Sequence, residues 1–162
     1  MEGGDWRSYF QAGLQAVEQK RWTNAASLFK KANELKPDDH EVMIRLAYAL
    51  RQIREFQQAL ELYRKLGAML PQNAGVHFAW GTTLAELGQY EGAILLGEKA
   101  LELGFSEKHR CHRLLGRMNF AIGNFEKARF HLQKYIDSGH ELEQGDFAQA
   151  MAQIELIGKK TG

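Results

Sequence analysis

Stacked antiparallel helix pairs in an all-α chain are what this sequence predicts, and three observations carry the prediction. Aromatic residues stand at Trp22, Phe56, Tyr90 and Phe125, and each is followed three positions later by alanine, at Ala25, Ala59, Ala93 and Ala128. A second series, Gly13, Ala47, Gly81 and Gly116, keeps nine positions ahead of those aromatics, and the two prolines, Pro37 and Pro71, are also 34 residues apart. Such a period marks a repeat architecture, in which each unit buries its apolar face against the next. Within a period, the apolar residues step by three and four, the spacing of one helix face.

The second period shows the element pattern most clearly. Val42, Leu46, Leu50 and Ile53 form one stripe; after Arg54 and Glu55, the residues Phe56, Ala59, Leu60, Tyr63 and Leu66 form another. Each unit therefore reads as two amphipathic helices joined by a short turn. The small residue of each first helix and the alanine of each second helix allow close approach, where leucine would force the pair apart. Gly88 and Gly123 fall in turns between paired helices, where a positive φ costs glycine little. Asp39, Asn73 and Ser106 suit helix N-caps, and Pro37 and Pro71 end the helices before them. With starts at Trp6, His40, Ala74 and His109, the repeats cover residues 6–39, 40–73, 74–107 and 109–141. Beyond them, Phe147, Ala150, Met151, Ile154 and Ile157 describe one further helix, Leu142 to Gly158. Its expected role is to cover the apolar end of the stack. Residues 1–162 are expected to form a single domain.

Composition excludes several classes. The chain has 162 residues, 44% hydrophobic and 25% charged, within the soluble globular range, so disorder and collagen-like structure are disfavoured. No apolar run approaches the ~18–20 residues of a membrane helix, so membrane insertion is not expected. The net charge of +1 gives no general attraction to nucleic acid. That average hides an asymmetry. Between Glu107 and Tyr135 there are seven basic residues against two acidic ones, a local +5 that leaves −4 elsewhere. The single cysteine, Cys111, rules out an internal disulfide and points to a reducing, cytoplasmic setting. Periplasmic or exported location is the alternative if a leader has been removed.

These markers resemble the tetratricopeptide repeat (TPR) family, whose 34-residue motif has a small residue at position 8, aromatics near 17 and 24, alanine at 20 and 27, and proline at 32. The first repeat supplies Gly13, Trp22, Ala25, Phe29, Ala32 and Pro37, and the second Leu46, Ala47, Phe56, Ala59, Tyr63 and Pro71. The third matches at Gly81, Tyr90, Ala93 and Ala100 but has Gly97 and Phe105 at the places of the second aromatic and the proline. The fourth matches at Leu115, Gly116, Phe125 and Ala128, with Tyr135 and His140 late in the motif. The resemblance implies a right-handed α-solenoid, a TPR superhelix of about four repeats plus a capping helix, acting as a non-enzymatic protein-protein interaction module.

It also implies a concave face lined by positions 2, 5, 6, 9, 12 and 13 of each first helix. The expected partner-binding residues there are Phe10, Leu14, Ile44, Arg45, Tyr48, Arg51, Phe78, Thr82, Arg110, Arg113, Arg117 and Phe120. Two properties stand out. Phe10, Leu14, Ile44, Tyr48, Phe78 and Phe120 would place apolar groups toward water, as binding surfaces do, although some are expected to be buried between neighbouring first helices. Arg110, Arg113 and Arg117, spaced i, i+3, i+7, would share a helix face and present guanidinium forks to carboxylates. A carboxylate clamp of the kind that grips heat-shock chaperones is disfavoured, because its Lys and Asn positions hold Phe10, Leu14 and Arg45. One repeat later they hold Ile44, Tyr48 and Ala79.

Chemistry is otherwise sparse. His109 and His112, at i and i+3 around Cys111, have the spacing of a two-histidine metal site, yet His112 falls at a packing position and no second ligand cluster follows. Asp137, Ser138 and His140 are too close along the chain to form a catalytic relay. No phosphate loop, HExxH or paired-cysteine motif occurs. Neither catalysis, cofactor nor metal is expected. The expected partner is another protein, through an extended or helical segment with apolar and acidic residues. A dedicated bacterial secretion or assembly chaperone and a self-associating scaffold are the alternatives.

Overall fold

Each of the four aromatics that mark the period opens a helix. The structure, a computed structural model, describes the backbone of residues 5–139 and 144–161, and the side chains of these except 144–148, 150, 151 and 161. Among the described residues there are nine helices and no strand: α1 (Trp6–Glu18), α2 (Trp22–Leu35), α3 (His40–Gln52), α4 (Phe56–Met69), α5 (Ala74–Glu86), α6 (Tyr90–Glu102), α7 (Lys108–Ala121), α8 (Phe125–Asp137) and α9 (Gln144–Thr161). The first helix of each pair begins at Trp6, His40, Ala74 and Lys108. The contacts divide the chain into two compact units, Met1–Pro71 and Gln72–Gly162.

In the first unit, α1 packs on α2, α2 on α3 and α3 on α4. Gly13 lets the first pair pack tightly: a Cβ there would lie 2.5 Å from the Phe29 ring. Phe29 is fully buried and Phe10 packs against it at 5.7 Å between centroids. Val42, Met43, Ala47, Ala59, Leu60, Tyr63 and Leu66 fill the second pair. Burial pushes the Tyr63 hydroxyl up to about 12. Asp39 caps α3 as expected, its Oδ1 accepting from the Glu41 and Val42 amides at 3.2 and 3.1 Å. Its other oxygen meets Lys36 Nζ at 2.6 Å. Both prolines lie two residues beyond a helix end, after Leu35 and Met69.

In the second unit, α5 packs on α6, α6 on α7, α7 on α8 and α8 on α9. Asn73 caps α5 through its Oδ1 and the Val76 amide at 3.0 Å. Ser106 does not cap α7. The helix starts at Lys108, so Glu107 holds the N-cap position, and the Glu107 carboxylate turns to Arg110 instead of the backbone. Each departure of the third repeat has its own packing partner. Gly97 leaves room for Leu115, whose Cδ2 would be 3.0 Å from a Cβ at that position, and Phe105 stacks on Phe78 at 4.6 Å. Gly88 and Gly123 turn with φ of 73° and 78°, as expected of those turns. The corresponding turns of the first unit have Lys20 and Arg54 at φ 55° and 66°. The last helix packs on α8 through Ile154, against Leu132 and Tyr135, and Ile157 is buried. Of its expected stripe, the side chains of Phe147, Ala150 and Met151 lie outside the described residues, as do Leu142 and His140.

Candidate partner-binding faces

The residues expected on the first-helix face divide between the units: α1 and α3 carry the first set, α5 and α7 the second. On α3, Tyr48 is the most open aromatic, 38% exposed, with the Trp22 indole edge-on at 5.6 Å and the Arg51 guanidinium 5.7 Å from its ring. Leu14 and Ile44 are half-buried beside it in sequence register. Arg45 is exposed and 3.8 Å from Glu41, one turn back on the same helix. A pair that open to water contributes little to stability, so Arg45 keeps its reach toward a ligand.

Phe10 and Phe78 correct the expectation of exposed anchors. Phe10 is 7% exposed because it sits on Phe29 with Trp6 at 6.3 Å on its other side. Phe78 is 6% exposed, held between the Phe105 ring and the Arg110 guanidinium at 4.9 Å. Both belong to the core of their unit. Helical spacing told which way these side chains point, and the depth to which the neighbouring helix covers them came from residues outside their own helix.

The remaining second-unit residues keep different degrees of freedom. Thr82 donates its hydroxyl to the Ala79 carbonyl at 2.8 Å, which commits that hydrogen to its own helix. Arg110 holds both oxygens of Glu107 at 2.9 and 3.0 Å while covering Phe78, so its charge is largely answered within the chain. Arg113 is half-buried, Arg117 is exposed, and Phe120 is half-buried with its edge toward Phe125 at 5.8 Å. The α7 sequence, KHRCHRLLGRMNFA, contains four Lys or Arg residues and no Asp or Glu.

The metal spacing resolves differently from its sequence appearance. His112 meets His131 of α8, Nδ1 to Nδ1 at 2.9 Å. Among the described residues no group of three or more His, Cys, Asp or Glu is placed to hold a metal ion. Cys111 is fully buried, and loss of solvent pushes its thiol up to about 12, so it is a poor nucleophile in the folded chain. Ser138 donates to the Tyr135 carbonyl at 2.6 Å, a helix-end contact beside Gly139 at φ 62°. No described helix is long and apolar enough to cross a membrane.

Two tetratricopeptide repeat models match consecutive segments, one residues 16–79 and the other residues 78–141. The chain belongs to the tetratricopeptide repeat family. The TPR repeat-containing protein YvcD of Bacillus subtilis is 24% identical over 165 residues, and the chain spans about a third of that relative, 33% of its length against 94% of its own. Among solved structures, the chain is similar to MamA from Desulfovibrio magneticus, with a TM-score of 0.78 at 23% identity, covering 86% of this chain and 78% of that one. It is also similar to pilF of Pseudomonas aeruginosa, with a TM-score of 0.76 at 22% identity, covering 96% and 68%. At these identities the structures share the TPR fold. As a TPR protein the chain is an all-α solenoid of antiparallel helix pairs, a fold that serves in general as a non-enzymatic protein-interaction scaffold.

Proposed function

We propose that this TPR protein binds an acidic, partly apolar segment of a partner protein, with the α7 face as the main determinant. The observation that carries this reading is that α7 presents the exposed Arg117 one turn from the half-buried Phe120, on a helix with four Lys or Arg residues and no carboxylate of its own. A guanidinium recognises a carboxylate through two parallel hydrogen bonds. An apolar ring close by supplies contact area that a charge pair alone lacks. In the first unit, Tyr48 with Leu14, Ile44, Arg45 and Arg51 offers a second face of similar chemistry.

A panel of fluorescent peptides tests this, half of them acidic with aromatic residues and half with the acids changed to lysine. Binding to the acidic set, weakening as salt rises and lost on Arg113→Glu/Arg117→Glu, is the expected result. Equal binding of both sets, or no response to the double charge reversal, overturns it.

Self-association is a second reading, supported by Leu95 and Phe130, the sixth residues of α6 and α8, which are 67% and 55% exposed. Sedimentation velocity across a hundred-fold range of concentration distinguishes the two: one unchanging monomer boundary removes self-association.

A further inference from the structure

His112 and His131 are 19 residues apart, one on each helix of the last pair, and the proposed partner face makes no use of their contact. Their ring centroids are 5.2 Å apart and their Nδ1 atoms 2.9 Å apart. The centroid distance is about what that N···N contact gives when both nitrogens lie on the line between the rings. The two Nδ1 atoms therefore point at one another. This is the geometry of one hydrogen bond, in which one ring donates Nδ1–H and the other accepts with its Nδ1 lone pair. It is not the geometry of two lone pairs converging on a metal ion.

Such a contact has room for one proton between the nitrogens. With both rings neutral, one tautomer of each satisfies it. A first added proton, taken at the outward Nε2 of the donor ring, leaves the Nδ1–H···Nδ1 bond in place. A second must go to the acceptor Nδ1, and two N–H groups then face each other at a distance suited to one. The surroundings oppose both protons. His131 is 8% exposed, with the Phe130 ring edge-on at 5.1 Å. Lys108 of α7 and Lys134 of α8 act on His112, and Lys127 of α8 acts on His131. Glu98 of α6, the helix packed on α7, is engaged with Lys127 at 3.5 Å. On α9, packed on α8, Glu155 pairs with Lys159, and Lys160 covers the Phe125 ring.

We propose that the His112–His131 contact is an acid-sensitive latch, whose double protonation separates α7 from α8 and releases the docking of α9 on α8. The site is built where opening has consequences. Leu132, next to His131, lies in the cluster that receives Ile154 of α9, and Cys111, next to His112 in the sequence, is fully buried.

Burial, and after it the neighbouring imidazole and Lys127, holds His131 down to about 4 from its ordinary 6.5, and burial lowers His112 as well. The unfolded chain therefore takes up protons that the closed pair refuses. Stability that is full above about 6.5 falls as the pH drops toward 4, where His131 itself becomes charged.

Cys111, fully buried on α7 one residue from His112, reports loss of the packing around that helix. The full chain is reacted with dithiodipyridine, which labels thiols in weak acid as well as at neutrality, and each rate is divided by that of the urea-unfolded chain at the same pH. The expected result is a normalised labelling rate that rises on the order of 20-fold between pH 7 and pH 5. The His112→Gln/His131→Gln double variant, which keeps polar groups but cannot take up protons there, is expected to show little change. Equal pH dependence in wild type and variant overturns the latch, because it assigns the acid sensitivity to other groups. If the double variant loses helicity, a histidine NMR titration of the wild type decides. If the second ring becomes charged only as the folded state is lost, the latch is supported; if both rings are charged while the chain stays folded, it is removed.

Discussion

Gly116 on α7 touches Leu132 on α8 so closely that a Cβ at Gly116 would lie 2.7 Å from both Cγ and Cδ2 of Leu132, and 3.1 Å from its backbone nitrogen. Leu132 is fully buried and cannot swing aside without disturbing the cluster under α9. Gly116→Ala is therefore expected to destabilise the second unit by ~1–3 kcal/mol, the usual cost of overpacking. Gly92→Ala is the contrast. There the close atom is the Leu84 Cδ1 at 2.9 Å, the far end of a flexible side chain, and alanine gains up to ~1 kcal/mol of helix propensity over glycine. Urea unfolding of the two variants should give opposite or clearly unequal shifts, and equal losses would show that close approach at Gly116 is not the cause.

Lys20 and Gly88 occupy corresponding turns, 68 residues or two periods apart, and both adopt the left-handed region, at φ 55° and 73°. A side chain pays roughly 1–2 kcal/mol for that conformation, while glycine loses about 0.5–1 kcal/mol through its freer unfolded chain. Lys20→Gly is accordingly expected to stabilise the first unit by ~0.5–1 kcal/mol, and Gly88→Ala to cost the second unit a similar amount. A denaturant midpoint that falls in Lys20→Gly would contradict this.

Asp39 combines two roles that substitution separates. Its cap bonds to the Glu41 and Val42 amides survive in Asp39→Asn, whereas the Lys36 contact does not; Asp39→Ala loses both. The alanine variant is expected to cost ~1 kcal/mol, and the asparagine variant less. The Lys36 contact and the amide bonds hold the Asp39 carboxyl below its ordinary 3.8. A depressed carboxyl stabilises the fold above its unfolded value and loses that contribution as the pH falls through its folded value. The stability gap between wild type and Asp39→Asn should thus be constant from pH 7 to 5 and narrow below about 4. A gap that persists at pH 2.5 would assign it to something other than charge.

The helix pairs were legible in the sequence because Trp22, Phe56, Tyr90 and Phe125 each open a second helix, and because Gly13, Gly81 and Gly116 stand where a Cβ would crowd the partner helix. These are local or strictly periodic signals. The candidate site was less legible. Helical spacing assigns Phe10, Tyr48 and Phe78 to one kind of face without saying how deeply each is covered. Phe78 is closed over by Phe105, at the place where the first two repeats have proline, and by Arg110 from the next first helix. The His112–His131 contact joins two helices at a separation that belongs to no single-helix pattern, so spacing pointed to His109 instead. Ser106 stands one residue before the N-cap position of α7, which Glu107 holds while its carboxylate pairs with Arg110.

Phe10 and Tyr48 then provide the test that separates core from binding face in the first unit. Phe10 lies against Phe29 and is 7% exposed, so Phe10→Ala leaves a cavity and is expected to cost ~3–5 kcal/mol. Tyr48 is 38% exposed, and its contacts with Trp22 and Arg51 are partly open to water. Tyr48→Ala is expected to cost about 1 kcal/mol or less, in the range of an aromatic pair near the surface. The measurement is thermal unfolding of both variants alongside acidic-peptide binding. Tyr48→Ala should fold like the wild type and bind less, since its ring is available as contact area, whereas Phe10→Ala should lose binding only in step with its folded fraction. If Tyr48→Ala proves as destabilising as Phe10→Ala, Tyr48 belongs to the core as well, and the first unit has no open aromatic on α3 with which to meet a partner.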